Sequence, residues 1–194
     1  MRIKGLNSAY YGTEKRIMDA TAKILKDNYS ICIRTRDISR EAGIALSSFY
    51  IHYHSLRELM DKNKERFITG LERVVELQIN EDASIERKIR NILFYFYRYR
   101  AFLRVVCISR NTEVIDIAIS KLKPLNREYM PRYDSYIKKC LYNMLAAEFI
   151  AEINLWWHED FSIKHMPEHA RHIAIFIRST PKIYASIYSQ NHNM

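Results

Sequence analysis

The sequence predicts an all-α protein of about nine helices. Three observations carry that expectation. Only 4 Gly and 4 Pro occur in 194 residues, too few for the tight turns of a β-sandwich or barrel. The prolines are Pro124, Pro131, Pro167 and Pro181, so the first 123 residues can run as long helices. Apolar residues recur at three- and four-residue spacing, and no run of several residues alternates with period two. Ile31-Cys32-Ile33 comes nearest and is too short. A 48% hydrophobic content fills a core in a chain of this length.

Each element has its own signal. Thr13 is placed to cap a first helix, with Ile17, Ala20, Ile24 and Leu25 on one face and Lys15, Asp19, Lys23 and Lys26 facing out. Asn28-Tyr29-Ser30 stops it. Thr35 is the next cap, for a short helix from Arg36 to Ala42 that Gly43 ends. A second short helix runs from about Leu46 to His52. Ser55-Leu56-Arg57-Glu58 fits the S-x-x-E capping box and opens a long helix. Its stripe is Leu59, Met60, Asn63, Phe67, Leu71, Val74 and Val75. Asn80 to Ser84 is a polar break. Ile85, Ile89, Ile92, Leu93 and Phe96 mark the next amphipathic helix, and a further one lies around Phe102 to Ile108. The Pro124 to Pro131 region is bent or broken. Two more helical stretches cover 134–158 and 167–188, with Pro167 suited to a first helical turn and Pro181 expected to kink or end the last helix.

The net charge is +9 and is unevenly placed. Residues 1–60 carry +4, 61–86 carry −3, 87–140 carry +9 and 141–194 carry −1. A basic N-terminal block suits nucleic acid, because phosphate neutralisation drives that binding. The basic middle block suits the same partner, an anionic small molecule or simply water around a helical surface. Cys32, Cys107 and Cys140 are odd in number and widely spaced, which fits reduced thiols in a cytoplasmic protein better than a disulfide framework. The N-terminus has no apolar signal region. The most apolar stretch, Leu141 to Trp157, carries Glu148 and Glu152 and fails as a membrane span. No phosphate-loop, dinucleotide, zinc-protease or serine-hydrolase motif occurs, so neither an enzyme nor a bound cofactor is expected. An all-α enzyme and a membrane-surface protein using the 87–140 block remain as alternatives.

The most specific segment is residues 33–52, IRTRDISREAGIALSSFYIH. Two short helices joined by a Gly turn make a helix-turn-helix. Ile38 and Ala42 face inward, Ser39 lets the second helix approach, and Gly43 supplies a positive φ. Ile44 and Phe49 pack the second helix on the first. Ala45, Leu46, Ser47 and Ser48 are left at the start of the second helix, the part that meets base edges in a major groove. Thr35, Arg36, Tyr50, His52 and Arg57 are placed to reach the phosphate backbone on either side.

At these residues the sequence resembles the tetracycline-repressor (TetR) family of bacterial regulators. The resemblance is carried by Thr35, Ile38, Ser39, Ala42, Gly43, Ile44, Ala45, Ser47, Phe49, Tyr50, His52, Tyr53, Ser55 and Leu59, with Ile17, Ala20 and Leu25 before them. Three positions depart from the family pattern. Ala45 stands where the family has Ser, Ser47 where it has Gly, and Leu56 where it has Lys, with Arg57 next to it as a substitute. The resemblance implies a DNA-binding domain over 10–70 and an all-helical effector-binding and dimerisation domain over 71–194. It implies a sequence-specific, ligand-responsive homodimeric repressor on a palindromic double-stranded operator, with a metal-responsive or activating regulator of the same fold as the alternative.

Three C-terminal features bear on that implication. Phe149 to Glu159, then Met166-Pro167-Glu168, is similar to the last two helices of many family members, which pair with their copies in a four-helix interface. Cys140, Ala147 and Ala151 share a small-residue face suited to such packing, and Trp156 joins them as an interface candidate. In Asn91 to Arg104, aromatic residues interleave with Arg. They serve either as core or as the wall of a pocket for an aromatic or anionic effector, with Tyr95, Phe96, Tyr99, Arg100 and Phe102 as candidates and Tyr133 beyond. His158, His165, His169 and His172 cluster within fifteen residues. His169 and His172 have a spacing that can chelate a metal, although surface histidines are the plainer reading and no metal is expected.

Overall fold

A computed structural model describes residues 4–27, 33–109, 112–125 and 135–191. Among these residues it is all-α: α1 (Lys4–Asp27), α2 (Thr35–Glu41), α3 (Leu46–His52), α4 (Leu56–Asn80), α5 (Ile85–Arg98), α6 (Arg100–Ile108), α7 (Thr112–Leu122), α8 (Ser135–His158) and α9 (Met166–Asn191). The expected stops at Asn28-Tyr29-Ser30, the Ile31-Cys32 pair, Tyr133 and Pro131 lie outside the described residues. The chain divides into two compact units. One comprises Met1–Phe67 and Tyr99–Val114, the other Ile68–Arg98 and Ile115–Met194.

In the first unit, α1 packs against α6 and α2. Ile17 and Ala20 are buried as the helical period requires, and Lys15, Lys23 and Lys26 face out. Phe102, Leu103, Val105 and Val106 supply the buried face of α6. Phe67 closes the core against Phe102, ring centroids 5.8 Å apart, and Tyr99, 5.4 Å. Thr13 does not cap α1. It sits within the helix, and its hydroxyl donates to the Ala9 carbonyl at 3.1 Å. The helix extends further back, to Lys4, and Tyr10 in this added part lies against His52 of α3, ring centroids 4.0 Å apart. Thr35 likewise is the first residue of α2, not its cap; Arg34 holds the cap position without a side-chain bond.

In the second unit, α9 packs against both α5 and α8. Ile85, Ile89, Ile92, Leu93 and Phe96 are buried along α5, as their spacing predicts. Leu141, Leu145, Phe149, Ile153 and Trp156 repeat every three or four residues along α8 and are buried in turn. Phe96 meets Phe149 edge to face at 5.7 Å. Gly70 on α4 is forced by a close approach: a Cβ there would lie 2.2 Å from the hydroxyl of the buried Tyr95. Helix α7, whose first residues to Val114 belong to the first unit, covers a stretch where the sequence reading names no element, although Val114, Ala118 and Leu122 repeat at four and are buried. Pro181 does not end α9, which runs on to Asn191. Its ring is buried, so packing offsets the one lost backbone donor. After α8, Asp160 and Phe161 take positive φ angles of 57° and 53°. Burial of Phe161 against Trp156, 5.2 Å away, compensates that strain.

Candidate nucleic-acid interface

The helix-turn-helix forms as its residue types require. Ile38, Ala42 and Phe49 are buried between α2 and α3, with Ser39 in the close approach donating to the Thr35 carbonyl at 2.9 Å. Gly43 adopts φ +61°, which lets Ile44 N–H reach the Ser39 carbonyl at 3.0 Å and close the helix end. Arg16 on α1 donates to the Gly43 carbonyl at 2.6 Å and ties the turn to the first helix.

Beneath α3 lies a buried polar contact that composition did not reveal. Glu14, 8% exposed, accepts from the Tyr53 hydroxyl at 3.0 Å and from Arg66 at 2.8 Å. Burial, and then the Glu14 charge, push the Tyr53 phenol well above its ordinary range, so it stays a donor. Helices α1, α3 and α4 are thereby joined through one carboxylate. An acid three residues before Ile17, on the apolar side of α1, is the signal that could have identified it. At the start of α4, Ser55 Oγ accepts the Glu58 N–H at 3.1 Å. The reciprocal bond of the capping box comes from the His54 N–H to Glu58, at 2.6 Å. The Lys62 ammonium, 2.7 Å away, and the His54 contacts hold the Glu58 carboxyl at about 2.

What faces out is small and basic. Ala45, Ser47 and Tyr50 are exposed, Leu46 and Ser48 half-buried. Arg36 and Arg57 are exposed on either side, and Thr35 meets the Tyr50 hydroxyl at 3.2 Å. Ile51, 74% exposed, and Arg34, just before α2, belong to the same outer surface and were missed by motif reading. His52 departs from expectation. It is 6% exposed, stacked on Tyr10, with Nδ1 3.9 Å from Glu14, so its ring cannot reach a phosphate. The reason is periodicity: residues 49, 52 and 53 fall on the inner side of α3.

The expected pocket residues are divided between the two units. Tyr95 and Phe96 belong to the second, where Tyr95 lies against Gly70 and Phe96 against Phe149. Tyr99, Arg100 and Phe102 belong to the first, with Tyr99 and Phe102 on Phe67. The second unit has its own apolar cavity, walled by Leu145 and Phe149 of α8, Ile173 and Ile177 of α9, and Ile89 of α5. On α8, Ala147 and Ala151 are exposed and Cys140 half-buried. Trp156 is corrected as an interface residue: it is wholly buried within its own chain, its indole N–H donating to the Ser162 carbonyl at 2.8 Å.

His169 is buried between two carboxylates, Nδ1 2.6 Å from Glu152 and Nε2 3.1 Å from Glu159. The His169 bond, and then that of His165, hold the Glu159 carboxyl below its usual range. His172 lies 3.3 Å from the other Glu152 oxygen. Both His169 nitrogens are thus committed to carboxylates, and no group of three or more His, Cys, Asp and Glu among the described residues is arranged to hold a metal ion. No helix among them is long and apolar enough to cross a membrane.

No family model matches the chain, and no curated protein matches it in sequence. Among solved structures, it is similar to a transcriptional regulator (TerR/AcrR family) from Aquifex aeolicus VF5, with a TM-score of 0.58 and 16% identity, over 89% of this chain and 99% of that one. At that identity the likeness is one of fold, and the fold that the helix-turn-helix residues imply, an all-α TetR-type architecture, is the fold observed.

Proposed function

We propose that the protein is a sequence-specific DNA-binding transcriptional regulator of the TetR type, a cytoplasmic, ligand-responsive homodimeric repressor, not an enzyme. The observation that carries this reading is the outer surface of α3. Ala45, Ser47, Tyr50 and Ile51 are exposed on a short helix whose inner side is fixed by Phe49 and Tyr53. Small exposed residues permit close approach to base edges, and Arg34, Arg36 and Arg57 flank them where phosphates run. The similar regulator supports the same reading by fold. The domains proposed are 10–70 for DNA binding and 71–194 for effector binding and dimerisation.

Dimerisation is supported by the outer side of α8. Tyr136, Met144, Ala147, Ala151 and Leu155 form an exposed, largely apolar stripe at three- to eight-residue spacing, with half-buried Cys140 on its line. Such a stripe is suited to the same stripe on a second copy. A two-fold dimer sets two α3 helices about 34–36 Å apart, or a multiple of that, and so reads an inverted repeat. An effector that binds one spacing better than the other shifts the population and releases DNA.

The test is sequencing of genomic fragments retained by the purified protein, with Ser47→Glu alongside. Inverted-repeat sites retained by the wild type and lost in a folded Ser47→Glu variant are expected. Equal retention by both proteins would overturn the assignment of α3 as the recognition helix.

A further inference from the structure

The cavity in the second unit has a polar lining that speaks to what it binds. As it stands it holds about 30 Å³, well short of the roughly 300–1,000 Å³ of small-molecule sites. Its apolar side chains must therefore part to admit a guest. Besides its apolar wall it presents Glu148, Tyr142 and Lys123.

Glu148 and Lys123 are not equivalent. Lys123 is exposed, and a stem of that length can keep its ammonium in water. Glu148 is half-buried on a short stem, and neither residue has an ion-pair or hydrogen-bond partner among the described residues. The nearby charges do not neutralise Glu148. Glu152, one turn further along α8, adds a like charge. From α9, His169 and His172 direct Nδ1 to Glu152, at 2.6 and 3.3 Å. Burial first, then Glu152, raise the Glu148 carboxyl above its ordinary value, with only His172 opposing.

We propose that this cavity takes a lipophilic cation, its apolar or aromatic body against Phe149 and Phe176 and its ammonium paired with Glu148. The inference rests on reading the second unit as the effector-binding part, and it sets the sign of the ligand's charge. An anion would bring like charge to a carboxylate already short of water. A cation supplies the partner that no described residue gives it, and the rings of Phe149, Phe176 and Tyr142 add favourable faces for it. This departs from the anionic expectation, for no Arg is among the described residues that line the cavity and Arg100 belongs to the other unit. Pairing favours ionised Glu148, so binding releases a proton wherever that carboxyl is still partly protonated, and affinity for a cation rises with pH through that range.

The experiment is calorimetric titration of the purified full chain with n-decylammonium, n-decanol and n-decanoate, each kept below its aggregation threshold. The ammonium is expected to bind about tenfold more tightly than the alcohol, a 1.4 kcal/mol difference, and decanoate most weakly. Glu148→Gln removes the advantage of the ammonium and leaves the alcohol unchanged. Ala146→Phe, which fills the cavity, weakens ammonium and alcohol together. Decanoate binding as tightly as the ammonium, an ammonium advantage that persists in Glu148→Gln, or no binding by any probe would overturn the proposal. None of these readouts uses DNA. Probe binding by a protein with no operator site would uphold the cavity and sink the regulator reading; operator sites without probe binding would do the reverse.

Discussion

Gly43 offers a direct check on how the helix-turn-helix is held. Its φ of +61° lies in the left-handed region, where an L-residue with a Cβ pays about 1–2 kcal/mol. Gly43→Ala also reduces the freedom of the unfolded chain, which returns about 0.4–1 kcal/mol. The added Cβ would lie 3.0 Å from Arg16 Nη2, the far end of a flexible side chain that can give way. The dihedral therefore decides, and the net loss is about 1 kcal/mol. For a chain of this size that lowers Tm by about 2–4 °C. Gly43→Asn, which tolerates the left-handed region through its short polar side chain, should lose less than half as much. Urea and thermal unfolding followed by circular dichroism read both variants. If Gly43→Ala matches the wild type, or Asn is no better than Ala, the turn does not depend on that backbone conformation. The placement of α3 would then need another cause.

The remaining expectations concern packing, pH, salt and thiol chemistry. Gly70→Ala should destabilise although Ala is the better helix former by about 0.5–1 kcal/mol, because its Cβ meets the Tyr95 hydroxyl; a double-mutant cycle with Tyr95→Phe should show partial recovery, and additive effects would refute the clash. Glu58 has its carboxyl depressed from 4.5 to about 2. A depressed folded value stabilises above the unfolded one, so this contribution is present above about pH 4.5 and lost as pH falls toward 2. Glu58→Gln should flatten that part of the acid unfolding curve, and an unchanged curve would refute the pairing. If 6–10 phosphates are contacted, operator affinity falls about 10³–10⁵-fold between 50 and 200 mM salt, and a flat response would remove phosphate contacts from the account. Burial pushes the Cys107 thiol up to about 11; thiol reagents near neutral pH should label it slowly in the native state and quickly in urea.

Local signals determined most of the fold. Helical period, the scarcity of Gly and Pro, and the Ser55 cap placed α3, α4 and α5 because each depends on residues within a turn or two of one another. The Ile38, Gly43 and Phe49 pattern placed the helix-turn-helix for the same reason: its turn needs one positive φ and its packing a few residues at fixed offsets. Where the reading failed, a distant residue decided. Thr13 reads as a cap, yet the helix extends back past it and Tyr10 lies against His52 in α3. Pro181 reads as a kink or an end, yet its ring is buried and α9 continues past it. His52 reads as a phosphate contact until the inner side of α3 takes it toward Glu14, and Trp156 as an interface residue until Phe161 and Ser162 enclose it. The Asn91 to Arg104 stretch reads as one aromatic wall, yet the break at Tyr99 assigns its halves to different units. Sequence records which residues can be buried; which partner buries them, and whether a charge such as Glu148 finds one among the described residues, is a property of the tertiary structure, because those partners lie many turns away along the chain.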